Sequence, residues 1–251
     1  MGSIGSNLQE VKRRIAAACA ESGRGANILT QTADFGAPPG VTLLAVSKTF
    51  GADAVREAHA AGQRAFGENY VQEAVAKIAA LADLRPRIEW HLIGPLQSNK
   101  TKPVAEAFDW VHSVDRLKVA QRLAEQRPAW LPPLNLCLQV NVSGEASKSG
   151  VLPADAAALA RAVAALPRDK VVLRGLMAIP EPADDFAVQR APHRALRALR
   201  DELNAQGLAL DTLSMGMSAD LEAAITEGAT IVRVGTAIFG GRPARAAPSC
   251  A

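Results

Sequence analysis

From Val41 onward the chain alternates short apolar runs with longer amphipathic segments, and no other feature constrains the fold as strongly. Runs such as Leu43-Leu44-Ala45-Val46 are apolar on both sides of an extended backbone, so as strands they must be covered on both faces. Repeated βα units around a parallel sheet meet that demand. Eight strands are predicted, over 43–47, 64–67, 88–94, 110–114, 135–142, 172–179, 212–215 and 231–235. Helical periodicity falls between them over 52–61, 71–82, 116–125, 154–166, 185–206 and 218–227, with Gly62, Gly207 and Gly228 as helix stops. A (β/α)8 barrel takes about 250 residues, and this chain has 251. The α/β fold expected is therefore one TIM barrel domain over 1–251, its core at about 41–242.

An additional N-terminal helix is predicted over 6–21, where Leu8, Val11, Ile15 and Ala18 share a face and Ser6 can cap it. Residues 23–40 have no sustained period and read as a loop, and the Ala- and Pro-rich tail 243–251 reads as disordered. The net charge of +3 is spread along the chain without a basic stripe, so nucleic acid is not an expected partner. Cys19, Cys137 and Cys250 are far apart and form no C-x-x-C pair, which argues against a disulfide framework or a zinc site and fits the cytoplasm. No run approaches the roughly 20 apolar residues of a membrane span.

In this fold the chemistry sits where strands end, so the polar residues there are the candidates. Lys48 follows the first apolar run and would lie in the barrel mouth, where desolvation lowers an amine's pKa and leaves it able to attack an aldehyde. A rim lysine, or one paired with Glu68, is the competing reading. Ser214-Met215-Gly216-Met217-Ser218 precedes a helix that Ser218 can cap, and Gly235-Thr236 ends the last strand. The loops after strands seven and eight are this fold's recurrent phosphate site, although each element alone equally suits an ordinary cap or turn. Arg233 alternates with Val232 and Val234 and should point into the barrel, toward a carboxylate or a ligand's ring nitrogen. His91 lies within an apolar strand and reads either as a base or as a hydrogen-bonded structural residue. His59, His112 and His193 form no ligand spacing, and no Gly-x-Gly-x-x-Gly or P-loop pattern occurs.

Five segments carry a resemblance: Ala45-Val46-Ser47-Lys48-Thr49, Gly67-Glu68-Asn69-Tyr70, the run from Trp90 to Lys100, Ser214-Met215-Gly216-Met217-Ser218, and the run from Val232 to Gly240. In order and spacing they resemble the pyridoxal 5′-phosphate (PLP) homeostasis protein family, relatives of the alanine racemase N-terminal barrel. The resemblance implies a Schiff base on Lys48, a phosphate held by Ser218, Gly235 and Thr236, and Arg233 near the pyridine nitrogen. It also implies that Asn69, His91 and Asn141 line the pocket. The implied function is PLP binding for intracellular PLP homeostasis without strong catalytic turnover, by a monomer whose partners are PLP and PLP-dependent enzymes. An amino-acid racemase is the alternative, and a barrel with a purely structural charge network is a third reading. Where many members have a second lysine and a proline, this chain has Thr49-Phe50-Gly51. Lys148, in a loop that keeps the family pattern, is either a second aldehyde acceptor or a solvated lysine.

Overall fold

Eight parallel strands close on themselves, each followed by helix, in a computed structural model that describes residues 2–25, 28–29, 40–144 and 149–241. A short strand β1 (Ile28–Leu29) lies beside the start of β2 (Val41–Val46). The barrel continues through β3 (Ala65–Glu68), β4 (Glu89–Leu92), β5 (Trp110–Val114), β6 (Leu134–Gln139), β7 (Val171–Met177), β8 (Thr212–Ser214) and β9 (Ile231–Val234). Closure is the pairing of β2 with β9, from Thr42 opposite Ile231 to Ala45 opposite Val234. All eight predicted strands are present. Those predicted over 88–94 and 135–142 stop earlier, at Leu92 and Gln139, where the backbone turns into the loops of the mouth.

Around the barrel lie α2 (Ala52–Ala60), α3 (Val71–Ala80), α4 (Thr101–Ala107), α5 (Leu117–Gln126), α6 (Pro153–Ala164), α7 (Phe186–Ala205), α8 (Leu221–Thr226) and α9 (Thr236–Phe239), after an N-terminal α1 (Ile4–Glu21). The periodicity did not reveal α4 and α9, which are too short for a repeat to emerge. Ser3, not Ser6, caps α1: its Oγ accepts from the Ser6 N–H at 3.2 Å, one turn earlier than expected. Gly62, Gly207 and Gly228 do end helices in the left-handed region, as predicted. The described helices include none long and apolar enough to cross a membrane. Most of the loop expected over 23–40, and the tail from 243, lie outside the described residues.

The period of two along each strand sorts side chains into two environments. Outward residues such as Leu43, Phe66, Trp90 and Leu136 join one large core with the helices. Inward ones form two small clusters made without helix residues: Leu44, Val46, Ala65, Ile93 and Ile231, and Trp110, Cys137 and Met177. Between them the lumen holds buried polar side chains, namely His91, His112, Ser214 and Arg233. At the end of β4 the chain passes so close to the β3 loop that a Cβ on Gly94 would lie 2.1 Å from the Asn69 carbonyl oxygen. Gly94→Ala therefore forces backbone apart and should cost about 2 kcal/mol or more, read by denaturant unfolding. Wild-type stability in that variant would contradict the packing at the mouth.

Candidate functional site

Lys48 directly follows β2 and Ser47 and is half-buried. Its neighbours are fixed from behind the sheet. Ser47 Oγ donates to Glu68 Oε1 at 2.6 Å, and Lys77 Nζ on α3 donates to Glu68 Oε1 at 2.6 Å and to the Ser47 carbonyl at 2.8 Å. Burial raises the Glu68 carboxyl, while Lys77 and the Ser47 hydroxyl oppose that shift. Glu68 thus faces α3 and is committed to Ser47 and Lys77, which removes the expected alternative of a Lys48–Glu68 pair. On the other side Thr49 is held at φ +69, and its N–H donates to Glu73 Oε1 at 2.7 Å. Phe50, where the second motif lysine is missing, stacks on Phe239, the last residue of α9, with ring centroids 5.1 Å apart.

The ends of β8 and β9 form the neighbouring part of the mouth. Gly216 takes φ +91, which lets the chain turn sharply after β8. Ser218 does not cap the following helix, contrary to expectation. The helix starts at Leu221, just after Asp220, whose side chain makes no capping bond to the helix; its Oδ1 instead accepts from the Met217 N–H at 2.6 Å and closes the turn before it. His193 on α7 bonds the other Asp220 oxygen at 2.9 Å. Burial alone would raise Asp220, but the bonds from His193 and Met217 outweigh it and hold the carboxyl low. Ser218 thus sits half-buried within a turn fixed at both ends, its carbonyl accepting from Arg14 Nη2 at 3.1 Å. Gly235 and Thr236 open α9, and Asn7 Nδ2 donates to the Ile238 carbonyl at 2.8 Å. Helix α1 therefore braces both loops.

Arg233 points inward, as its alternation predicted, and is 3% exposed. Its Nη1 donates to Ser214 Oγ at 2.7 Å and its Nη2 to the Ala178 carbonyl at 2.8 Å, which spends two of five N–H groups. Burial pulls its pKa down to about 10, so it remains a cation at neutral pH. Ser214 Oγ also lies 2.8 Å from His112 Nδ1, His112 Nε2 lies 2.9 Å from His91 Nδ1, and His91 Nε2 lies 2.7 Å from Glu89 Oε1. Burial, then His91 and Arg233, keeps His112 well below an ordinary histidine value.

A cavity of about 430 Å³ opens at the mouth, lined by Asn69, Ile93, Gly94, Pro95, Gln139, Ser149, Ile179, Pro180, Glu181, Pro182 and Met217. The Asn69 side-chain oxygen is buried there without a hydrogen-bond partner among the described residues. Asn141 is buried just beyond β6, and its Oδ1 accepts from the Gly144 N–H at 3.1 Å and from Ser143 Oγ at 3.2 Å. Lys148 lies outside the described residues. Lys48, Asn69, Asn141, Ser218, Arg233, Gly235 and Thr236 all sit at or just inside the C-terminal end of the barrel. His91 lies deeper in the lumen, joined to Arg233 through His112 and Ser214. Sequence reasoning missed His112, His193, Asp220, Lys77, Arg14 and Asn7. These act by long-range contact, and only the inward parity of His112 on β5 could have signalled any of them.

Residues 26–243 match the family model for the alanine racemase N-terminal domain. The chain is 62% identical over 242 residues to the pyridoxal phosphate homeostasis protein of Pseudomonas aeruginosa, covering 96% of this chain and 97% of that one. It is 51% identical over 243 residues to its Escherichia coli namesake, with 96% and 98% covered. The solved structure of PipY from Synechococcus elongatus with PLP bound aligns at TM-score 0.78 and 41% identity, over 95% of this chain and 100% of that one. Alanine racemase from Corynebacterium glutamicum shares the fold at 16% identity and TM-score 0.65, with 94% of this chain matched to 59% of that one. Fold and mouth define a (β/α)8 barrel of the alanine racemase N-terminal type. Within that class, the chain belongs to the pyridoxal phosphate homeostasis protein family.

Two predictions follow from the site's buried charges. Lys77→Met strands the Glu68 carboxylate and should cost about 3–5 kcal/mol, whereas adding Glu68→Leu should restore part of that stability. A double variant no more stable than the single one would contradict the pairing. Because folding holds His112 below its ordinary 6.5, the unfolded chain gains the proton first as pH falls, so the stability tied to its neutral form is lost below that value. From about pH 7.5 to about pH 5.5, the stability advantage of wild type over His112→Gln should shrink by about 1.4 kcal/mol. A constant advantage would contradict a neutral buried His112.

Proposed function

We propose that this chain binds PLP at the barrel mouth through a covalent bond to Lys48 and holds it for intracellular PLP homeostasis rather than for turnover. The observation that carries this reading is the placement of a buried cation, Arg233, on β9 beside β2, the strand that leads to Lys48. Support comes also from the PLP-bound relative and from the names of the curated relatives.

The residues fit the group. Asn69, which lines the cavity, carries a buried oxygen without a partner among the described residues, a half-buried lysine follows the first barrel strand, and two braced segments follow the last two strands. Lys48 would supply the amine; Ser218, Gly235 and Thr236 would hold the phosphate; Arg233 would face the ring nitrogen; Asn69 and Asn141 would flank the ring. His91 would act from below, through His112 and Ser214. When bound, PLP supplies an aldehyde that links reversibly to amines and a ring that accepts electrons from the linked carbon. A guanidinium that donates to the ring nitrogen excludes a proton from it and weakens that electron demand, which favours a carrier over a racemase. The sole tyrosine, Tyr70, is 57% exposed at the start of α3, which gives a two-base racemase little to use. In this reading the protein acts as a cytoplasmic monomer, and its partners are PLP and the enzymes that consume it.

Ser218→Ala combined with Thr236→Val should weaken binding of PLP at least about tenfold while changing affinity for pyridoxal, which lacks the phosphate, much less. Equal losses for the two ligands in parallel titrations would overturn the phosphate assignment.

A further inference from the structure

The hydrogen bonds from Arg233 to Glu89 cross the barrel from its mouth to its opposite end. Glu89 is the first residue of β4, its side chain is 22% exposed, and it lines a cavity of about 600 Å³ at that end. The other members are buried: Arg233 at 3% exposure, and Ser214, His112 and His91 at 0%.

Donor and acceptor rules leave this chain little freedom. Arginine only donates, so Arg233 Nη1 gives its proton to Ser214 Oγ. At the other end an ionised carboxylate only accepts, so His91 Nε2 must carry a proton toward Glu89. With its single proton there, His91 has a bare Nδ1 that takes the proton of His112 Nε2; a doubly protonated His91 would instead donate to His112, turn His112 toward Ser214 Oγ and leave the Ser214 proton unplaced. A neutral His112 has a bare Nδ1 in turn, which takes the Ser214 hydroxyl proton. Every donor meets an acceptor, and the bonds all run one way. The reverse order requires a protonated Glu89 and turns Ser214 into the acceptor of two bonds, leaving its own proton unplaced. Arg85, Arg87 and Arg127 line Glu89's cavity along with Glu106 and Asp109, so three guanidiniums there face three carboxyl groups.

We propose that Glu89 is a positioning residue for the cofactor site: acting through His91 and His112, it directs the Ser214 hydroxyl proton to His112 and so leaves a Ser214 lone pair to orient Arg233. This rests on the PLP reading only for what Arg233 does next. Burial of His112, which keeps it neutral, is consistent with the order.

The test reads the histidine tautomers in the PLP-free protein. With four histidines in the chain, a 15N-labelled sample is assignable by single substitutions. In wild type, His91 and His112 should both carry the proton on Nε2. In Glu89→Gln, whose amide can donate as well as accept, a population of His112 protonated on Nδ1 should appear, and PLP titration should show weaker binding. A mere packing role for Glu89 would lower stability without moving a tautomer. Should Glu89→Gln fail to fold, the wild-type tautomers still decide the question. A wild-type protein that binds PLP while His112 carries its proton on Nδ1 overturns the relay and leaves the cofactor reading standing. Nε2 protonation in a protein that binds no PLP supports the relay and overturns the cofactor reading.

Discussion

The pairing of β2 with β9 is the interaction on which the rest depends. It joins the first barrel strand to the last, removing both edges of the sheet, and it puts the strand leading to Lys48 beside the strand carrying Arg233. Residues separated by nearly the whole barrel in sequence thereby meet at one mouth. The pairing register also sets parity. Leu44 stands opposite Arg233, so both face the lumen, and a slip of one residue would turn the guanidinium out toward the helices.

A lumen that contains a guanidinium and two imidazoles would be costly if those groups were left unpaired. Here each is bonded. Arg233 uses a hydroxyl and a carbonyl, and the histidines use one another, Ser214 and Glu89. The same logic operates on the outer side of β2 and β3, where Lys77 and Glu68 exchange charge next to Ser47. Two polar networks, one inside the barrel and one behind it, hold Arg233 and Ser47, the residue before Lys48. Helix α1 adds a third support, because Asn7 reaches the Ile238 carbonyl in α9 and Arg14 the Ser218 carbonyl in the loop after β8.

The strands were legible because burial on both faces leaves continuous apolar runs, and Arg233 could be read as inward from alternation alone. Lys48, Ser218 and Thr236 stood out as candidates because this fold places its chemistry at strand ends. Ser218 was misread as a helix cap because sequence shows a suitable residue, whereas the turn it occupies is closed by Asp220, which is held by His193, 27 residues earlier in the chain. His112 looked isolated for a related reason. Its partners Ser214 and His91 lie on β8 and β4, and only closure of the barrel brings them together. Short helices such as α4 and α9 were missed because one or two turns show no period.

Lys48 is the residue proposed to take up PLP covalently, and one measurement tests that directly. Purified protein is incubated with PLP, reduced with borohydride, digested and mapped by mass spectrometry. A single pyridoxyl adduct on the peptide carrying Lys48, absent in Lys48→Ala, is the predicted result. No adduct, or an adduct that persists elsewhere when Lys48 is replaced, would contradict the assignment and leave the mouth as a structural charge network.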